Sequence, residues 1–143
     1  MAEPHTATEV SNVDRVRAAF EAWREGRGSP FDLLAEDASW TIAGRSDAAK
    51  TYPSRESFLA EVIRPFNARM RQGLKPEIRR LYADGDTVIA LFDAAGVAAD
   101  GRPYANTYAW FMQFKDGRAV KVTAFFDTRV FDEMWKRVAP KGP

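Results

Sequence analysis

Asp-Gly pairs recur at a fixed interval of 16 residues, at Asp84-Gly85, Asp100-Gly101 and Asp116-Gly117. An Asp-Gly step between two apolar, β-rich runs signals a tight hairpin, because both residues tolerate the positive φ that such a turn demands. The flanks agree. Val88, Ile89, Leu91 and Phe92 follow the first turn, Tyr104, Tyr108, Trp110, Phe111 and Phe114 the second, and Val120, Val122, Phe125 and Phe126 the third. These are β-branched and aromatic types, which suit a pleated surface. The spacing therefore predicts a meander of three long strands, preceded by a fourth from about Leu74 to Ala83. Strands of roughly 12 to 14 residues cannot stay flat and must twist and curl. A curled sheet has a concave side, and something must fill it.

The segments that fill it precede the meander. Val13, Val16, Phe20 and Trp23 are spaced 3, 4 and 3 among charged residues, which is one face of an amphipathic helix capped at Ser11 or Asn12 and ended by Gly26. Ser29-Pro30 opens a short second helix burying Phe31, Leu33 and Leu34. Ala38 to Ala43 reads as a short strand. A third helix starts at the cap Ser54, carries Phe58, Leu59, Val62, Ile63 and Phe66, is kinked or broken at Pro65, and closes at Gly73. Val130, Phe131, Met134, Trp135 and Val138 predict a short C-terminal helix. The fold class is α+β: a strongly curved antiparallel sheet of four long strands plus a short one, packed on three N-terminal helices. Residues 1–11 read as a disordered tail, 12–138 as a single domain and 139–143 as a C-terminal tail.

Composition excludes several chemistries. The chain of 143 residues has no cysteine, which removes disulfides, thiolate catalysis and cysteine metal sites, and its one histidine, His5, lies in a segment without periodicity. No Ser-His or Cys-His system, metal cluster or glycine-rich phosphate loop is legible, so no metal or cofactor is expected. Twenty-one basic residues against 20 acidic ones leave a net charge of +1, no footprint for nucleic acid. The basic run Arg64, Arg69, Arg71, Lys75, Arg79 and Arg80 reads as a solvated surface. There is no apolar run near about 18 residues and no signal-like start, so no membrane association and a cytoplasmic location are the expectation.

Acid-base work then falls to carboxylates and tyrosines. Asp127 follows two phenylalanines at the end of the last strand, and Asp93 stands among apolar neighbours in Val88 to Ala95. A charge so placed is costly unless paired or protonated. Two plainer readings stand beside this: Asp127 caps the last helix and pairs with an arginine, and Asp93 points to water from the outer face. Tyr104, Asn106, Tyr108 and Trp110 alternate along one strand and share one side, either an ordinary aromatic ladder or a wall that holds a substrate oxygen.

The order of elements, with Asp100 to Tyr108 (DGRPYANTY), Lys115 to Arg118 (KDGR) and Phe125 to Thr128 (FFDT), resembles the nuclear transport factor 2-like superfamily, and within it the SnoaL-like polyketide cyclase and ketosteroid isomerase-related branch. The resemblance spans about Val13 to Trp135. It implies a cone with a deep apolar pocket, usually in a homodimer, and puts the acid-base aspartate at Asp127. The limonene-epoxide hydrolases of the same superfamily match at Asp93 and Asp127, but Leu91 stands at their arginine position, Trp40 at their tyrosine and Ile42 at their asparagine, which argues against epoxide hydrolysis. The expected function is a cofactor-free isomerase, cyclase or hydrolase acting on a small hydrophobic or polycyclic, oxygen-bearing molecule. Asp127 and Asp93 would be catalytic, with Trp40, Phe92, Tyr104, Asn106, Tyr108, Trp110 and Phe125 around the substrate. The alternative is a non-catalytic ligand-binding or dimeric interaction domain.

Overall fold

The computed structural model describes residues 6–141. Its elements are α1 (Ala7–Arg24), a 3₁₀ turn (Pro30–Leu33), β1 (Leu34–Ile42), β2 (Thr51–Tyr52), α2 (Arg55–Phe58), a π turn (Leu59–Ile63), α3 (Arg64–Asn67), β3 (Met70–Asp84), β4 (Thr87–Ala98), β5 (Pro103–Lys115), β6 (Arg118–Phe126) and α4 (Thr128–Arg137). The three Asp-Gly pairs form the turns of the meander, with Gly85, Gly101 and Gly117 all at positive φ. The six strands run in the order β2-β1-β6-β5-β4-β3 in one curved, unclosed sheet. β1 joins β6 in parallel, with Trp40 opposite Val122 and Ile42 opposite Ala124.

Several boundaries differ from the sequence reading. α1 begins at Ala7 rather than near Val13, so residues 7–11 are helical and not tail; residues 1–5, His5 among them, lie outside the described residues. Its cap is Thr6, whose hydroxyl accepts from the Glu9 N–H at 3.1 Å while the Glu9 carboxylate accepts from the Thr6 N–H at 3.0 Å. The same carboxylate accepts from the Gly85 N–H at 2.9 Å and ties the helix start to the first hairpin turn. Ser54 caps α2 as its type predicts. Pro65 lies in the first turn of α3, and the helical segment runs on through it to Asn67. Its missing N–H is absorbed one turn earlier by a π turn, in which the Arg64 N–H reaches back to the Leu59 carbonyl. The segment closes at Ala68, and Gly73 lies inside β3, which starts four residues before Leu74. β2, a sixth strand of two residues, carries too little pattern to be read from sequence.

α1 lies across the concave face. Val13, Val16 and Phe20 are buried, and the Phe20 ring meets Phe92 edge-on at 4.8 Å and Trp110 at 5.7 Å. β5 alternates strictly, with Tyr104, Asn106, Tyr108, Trp110, Met112 and Phe114 buried and their neighbours toward solvent. α4 closes one end through Arg69, which departs from the solvated basic run. Its guanidinium donates to the carbonyls of Trp135, Val138 and Pro65 and lies 3.9 Å over the Trp135 ring, and burial lowers its pKa. Lys141 adds an N–H bond to the Ala68 carbonyl; residues 142–143 lie outside the described residues. Among the described residues no helix is long and apolar enough to cross a membrane.

Candidate functional site

Between the helices and the concave face lies a cavity of about 560 Å³. Its wall is aromatic. Phe92 and Trp110 come from β4 and β5, Trp40 from β1, Trp23 from α1, and Phe58 and Phe131 from α2 and α4. The rings fix one another: Trp40 stacks on Phe58 at 4.3 Å, Trp110 meets Trp40 edge-on at 4.9 Å and Phe92 at 4.8 Å, and Phe92 stacks on Tyr108 at 5.0 Å. Gly26, Gly73 and Lys75, all exposed, form the rim.

Register decides which side chains enter. Phe92 stands opposite Tyr108 and Trp110 opposite Ala124 on the concave side, so Asp93 opposite Thr107 and Phe125 opposite Ala109 take the other side. Four of the expected residues, Trp40, Phe92, Tyr108 and Trp110, therefore line the cavity together. Phe125 does not. It is 50% exposed on the outer face, edge-on to Phe111 at 5.8 Å, and its neighbour Phe126 occupies the cavity instead. Tyr104 and Asn106 are buried on the concave side but stand behind the cavity wall.

These two form the polar support of Tyr108. The Tyr104 and Tyr108 hydroxyls lie 2.9 Å apart, and Asn106 Nδ2 donates to Tyr104 Oη at 3.0 Å. The same amide holds the chain after β6, donating to the Asp127 carbonyl at 3.0 Å and accepting from the Asp127 N–H at 3.1 Å. Burial pushes the Tyr108 phenol well above the ordinary tyrosine range, with Tyr104 adding to it, and burial raises Tyr104 as well. Both phenols therefore stay protonated at neutral pH. Among the described residues that line the cavity there is no carboxylate; Tyr108 and Lys75 are its ionisable groups.

The aspartates occupy a different space. Asp127 is exposed and caps α4, its Oδ1 accepting from the N–H groups of Arg129 at 3.1 Å and Val130 at 3.2 Å. The expectation of an Asp127 carboxyl buried in an apolar cavity is thus not met, because the chain leaves the concave side as it turns into α4. Asp93 binds Arg79 at 2.8 Å and the Thr107 hydroxyl at 2.6 Å, and that guanidinium, then that hydroxyl, holds its pKa below the usual carboxylate range. The two aspartates do line one polar cleft, with Asn106, Thr107, Arg24 and Lys75. Lys75 borders both spaces. Trp23, Phe58 and Phe131 are cavity residues that the sequence reading left as core; their helical periodicity was plain, but periodicity cannot separate a packed face from one that borders a void.

A curved open sheet wrapped on helices, with an aromatic cavity inside the curve, defines a cone of the nuclear transport factor 2-like class. The chain belongs to the SnoaL-like domain family, whose model matches residues 16–122. Among solved structures it is similar to Bal32a from a soil-derived mobile gene cassette, at 24% identity and a TM-score of 0.73 over 90% of this chain and 98% of that one. A proposed SnoaL-like polyketide cyclase from Jannaschia sp. CCS1 matches at 16% identity and 0.69, over 99% of both chains. A proposed isomerase from Rhodopseudomonas palustris matches at 19% identity and 0.64, over 86% of this chain and 94% of that one. A comparison with curated protein sequences finds no match.

Proposed function

We propose that the protein binds a small, largely apolar, oxygen-bearing molecule in the aromatic cavity and acts on it without a cofactor, as an isomerase or cyclase. The observation that carries this reading is the Tyr108 phenol, a neutral donor in an apolar wall, backed by Tyr104 and Asn106. Either hydroxyl can donate across the Tyr104–Tyr108 contact, and when Tyr104 donates the Tyr108 proton is free for the ligand. Enolisation and aldol-type ring closure both build negative charge on a carbonyl oxygen, and a fixed donor in a dry site stabilises that charge. Tyr108→Phe is expected to lower turnover of a true substrate by roughly 10²-fold while its binding weakens far less. Equal kcat for the variant and the parent protein would refute the role.

A second reading keeps Asp127 as the proton acceptor. The border position of Lys75 favours it, since a substrate long enough to pass Lys75 would reach from the cavity into the cleft that Asp127 lines. Asp127→Asn separates the two: it preserves a capping side chain, so a large fall in kcat assigns the base to Asp127, and an unchanged kcat leaves the chemistry with Tyr108. For the assembly we propose a homodimer through the outer sheet face, where the exposed Phe111 and Phe125 rings form an apolar patch.

A further inference from the structure

The three hairpin turns share one dipeptide, and the structure holds them unequally. An Asp-Gly step is open to a backbone rearrangement, because glycine puts no side chain between its own amide nitrogen and the preceding carboxyl. Two of the three are restrained. The Asp100 carboxylate accepts from Arg137 Nε at 2.7 Å and from the Arg102 N–H at 3.1 Å, and the Gly101 N–H donates to the Ala98 carbonyl at 2.9 Å. That guanidinium, then that Arg102 amide, holds the Asp100 pKa below the usual carboxylate range, and an ionised carboxylate is a poor acyl centre. In the first turn the Gly85 N–H donates to the buried Glu9 carboxylate at 2.9 Å, and a negative charge beside an amide opposes loss of its proton.

The Asp116-Gly117 turn lacks such ties. Among the described residues neither the exposed Asp116 carboxylate nor the Gly117 N–H has a hydrogen-bond or ion-pair partner. Asp116, at φ 51°, is the non-glycine residue held in the left-handed region among those described, a conformation a side chain bears at a cost. The exposed Lys115 and Arg118 close the turn, and a register shift between Gln113 and Phe114 separates this end of the hairpin from the main β5–β6 ladder, so the turn can open without unzipping it. Arg15 lies against Gly117, its Nε 3.0 Å from where a Cβ of that residue would stand, and a cation there favours the deprotonated amide.

We propose that Asp116 is a site of spontaneous isoaspartate formation, the one of the three Asp-Gly turns that the fold leaves open to it. The Gly117 nitrogen attacks Cγ of the protonated Asp116 carboxyl; the new C–N bond closes a succinimide, and the carboxyl hydroxyl leaves with the amide proton as water. Water then adds to the α-carbonyl of the ring and breaks its bond to the Gly117 nitrogen, so that the chain runs through the β-carboxyl and a free α-carboxylate remains. One water is lost and one gained, and the mass is unchanged. The product adds one carbon to the main chain inside a two-residue turn, so Lys115 and Arg118 no longer meet in their present register.

The test ages the intact protein at neutral pH and compares peptides spanning the three turns by electron-transfer fragmentation, which tells isoaspartate from aspartate of the same mass. Isoaspartate is expected to accumulate about 5- to 10-fold faster at Asp116 than at Asp84 or Asp100, the ratio that one hydrogen bond of ordinary strength supplies. In urea, where the ties are gone, the three rates should converge. Arg137→Gln, which frees the Asp100 carboxylate, should raise the rate at Asp100 and leave Asp116 as it was. Equal rates in the folded protein, a faster rate at Asp84 or Asp100, an Asp116 excess that persists in urea, or an Asp100 rate indifferent to Arg137→Gln would each overturn the proposal.

Discussion

At the residue scale, Asp127 and Tyr108 exchange the weights that sequence gives them. Asp127 does its visible work as a helix cap, so Asp127→Ala is expected to cost about 1 kcal/mol of stability, and Asp127→Asn much less, because asparagine caps nearly as well. Chemical denaturation of the two variants checks this. Tyr108 and Tyr104 have pKa values raised by burial. A group whose folded-state pKa lies above its unfolded value keeps its contribution below the unfolded value and loses it above. Stability is therefore expected to be insensitive to these phenols up to about pH 10 and to fall beyond it, as tyrosines of the unfolded chain ionise. Melts at pH 9 to 11 on the parent protein and Tyr108→Phe, whose loss should be shallower, measure the effect. Both roles stood among the alternatives read from the sequence, and position along the chain did not choose between them. Whether a mid-strand aspartate faces in or out depends on which parity is concave, and that is fixed by Trp110 and Phe92 meeting Phe20 of a distant helix.

At the scale of elements, the hairpin turns carried the most information, because Asp-Gly is local chemistry that tertiary packing seldom overrides. Gly101 takes φ +87°, so Gly101→Val is expected to destabilise by about 1 kcal/mol or more through backbone strain. Gly96 is constrained differently. An added Cβ would lie 2.5 Å from the Gln72 carbonyl oxygen and 3.0 Å from that of Gly73, where β3 shifts register against β4. Gly96→Ala is expected to cost more than 1 kcal/mol and to disturb the rim formed by Gly73 and Lys75; thermal melts of both glycine variants, beside the parent protein, test this. What sequence missed at this scale was contextual. The start of α1 hangs on Glu9 reaching Gly85, a contact between residues 76 apart, and the π turn before Pro65 answers a missing N–H that propensity reads only as a break.

For the whole molecule, the homodimer proposed above has its test on the convex side of the sheet. Phe111 and Phe125 are 37% and 50% exposed and meet each other's edges, an arrangement that a second copy would cover. Light scattering at micromolar concentration is expected to give twice the chain mass, and Phe125→Glu to shift it to one chain, with the cavity ligands still bound. A persistent single-chain mass for the parent protein would remove the dimer without touching the cavity.

The parallel seam between β1 and β6 also sets a clock. Hairpins β3 to β5 can zip as soon as their turns form, and β1 can pair locally with β2, but Trp40 and Ile42 join the main sheet only when Val122 and Ala124 arrive, some 80 residues later in synthesis. Until then the aromatic wall lacks β6, and Trp40 has its neighbours Tyr52 and Phe58 but not the parallel seam. Pulsed hydrogen exchange during refolding should therefore show β4 and β5 amides protected before those of β1, and a nascent chain halted at Lys115 should be the species that chaperones hold.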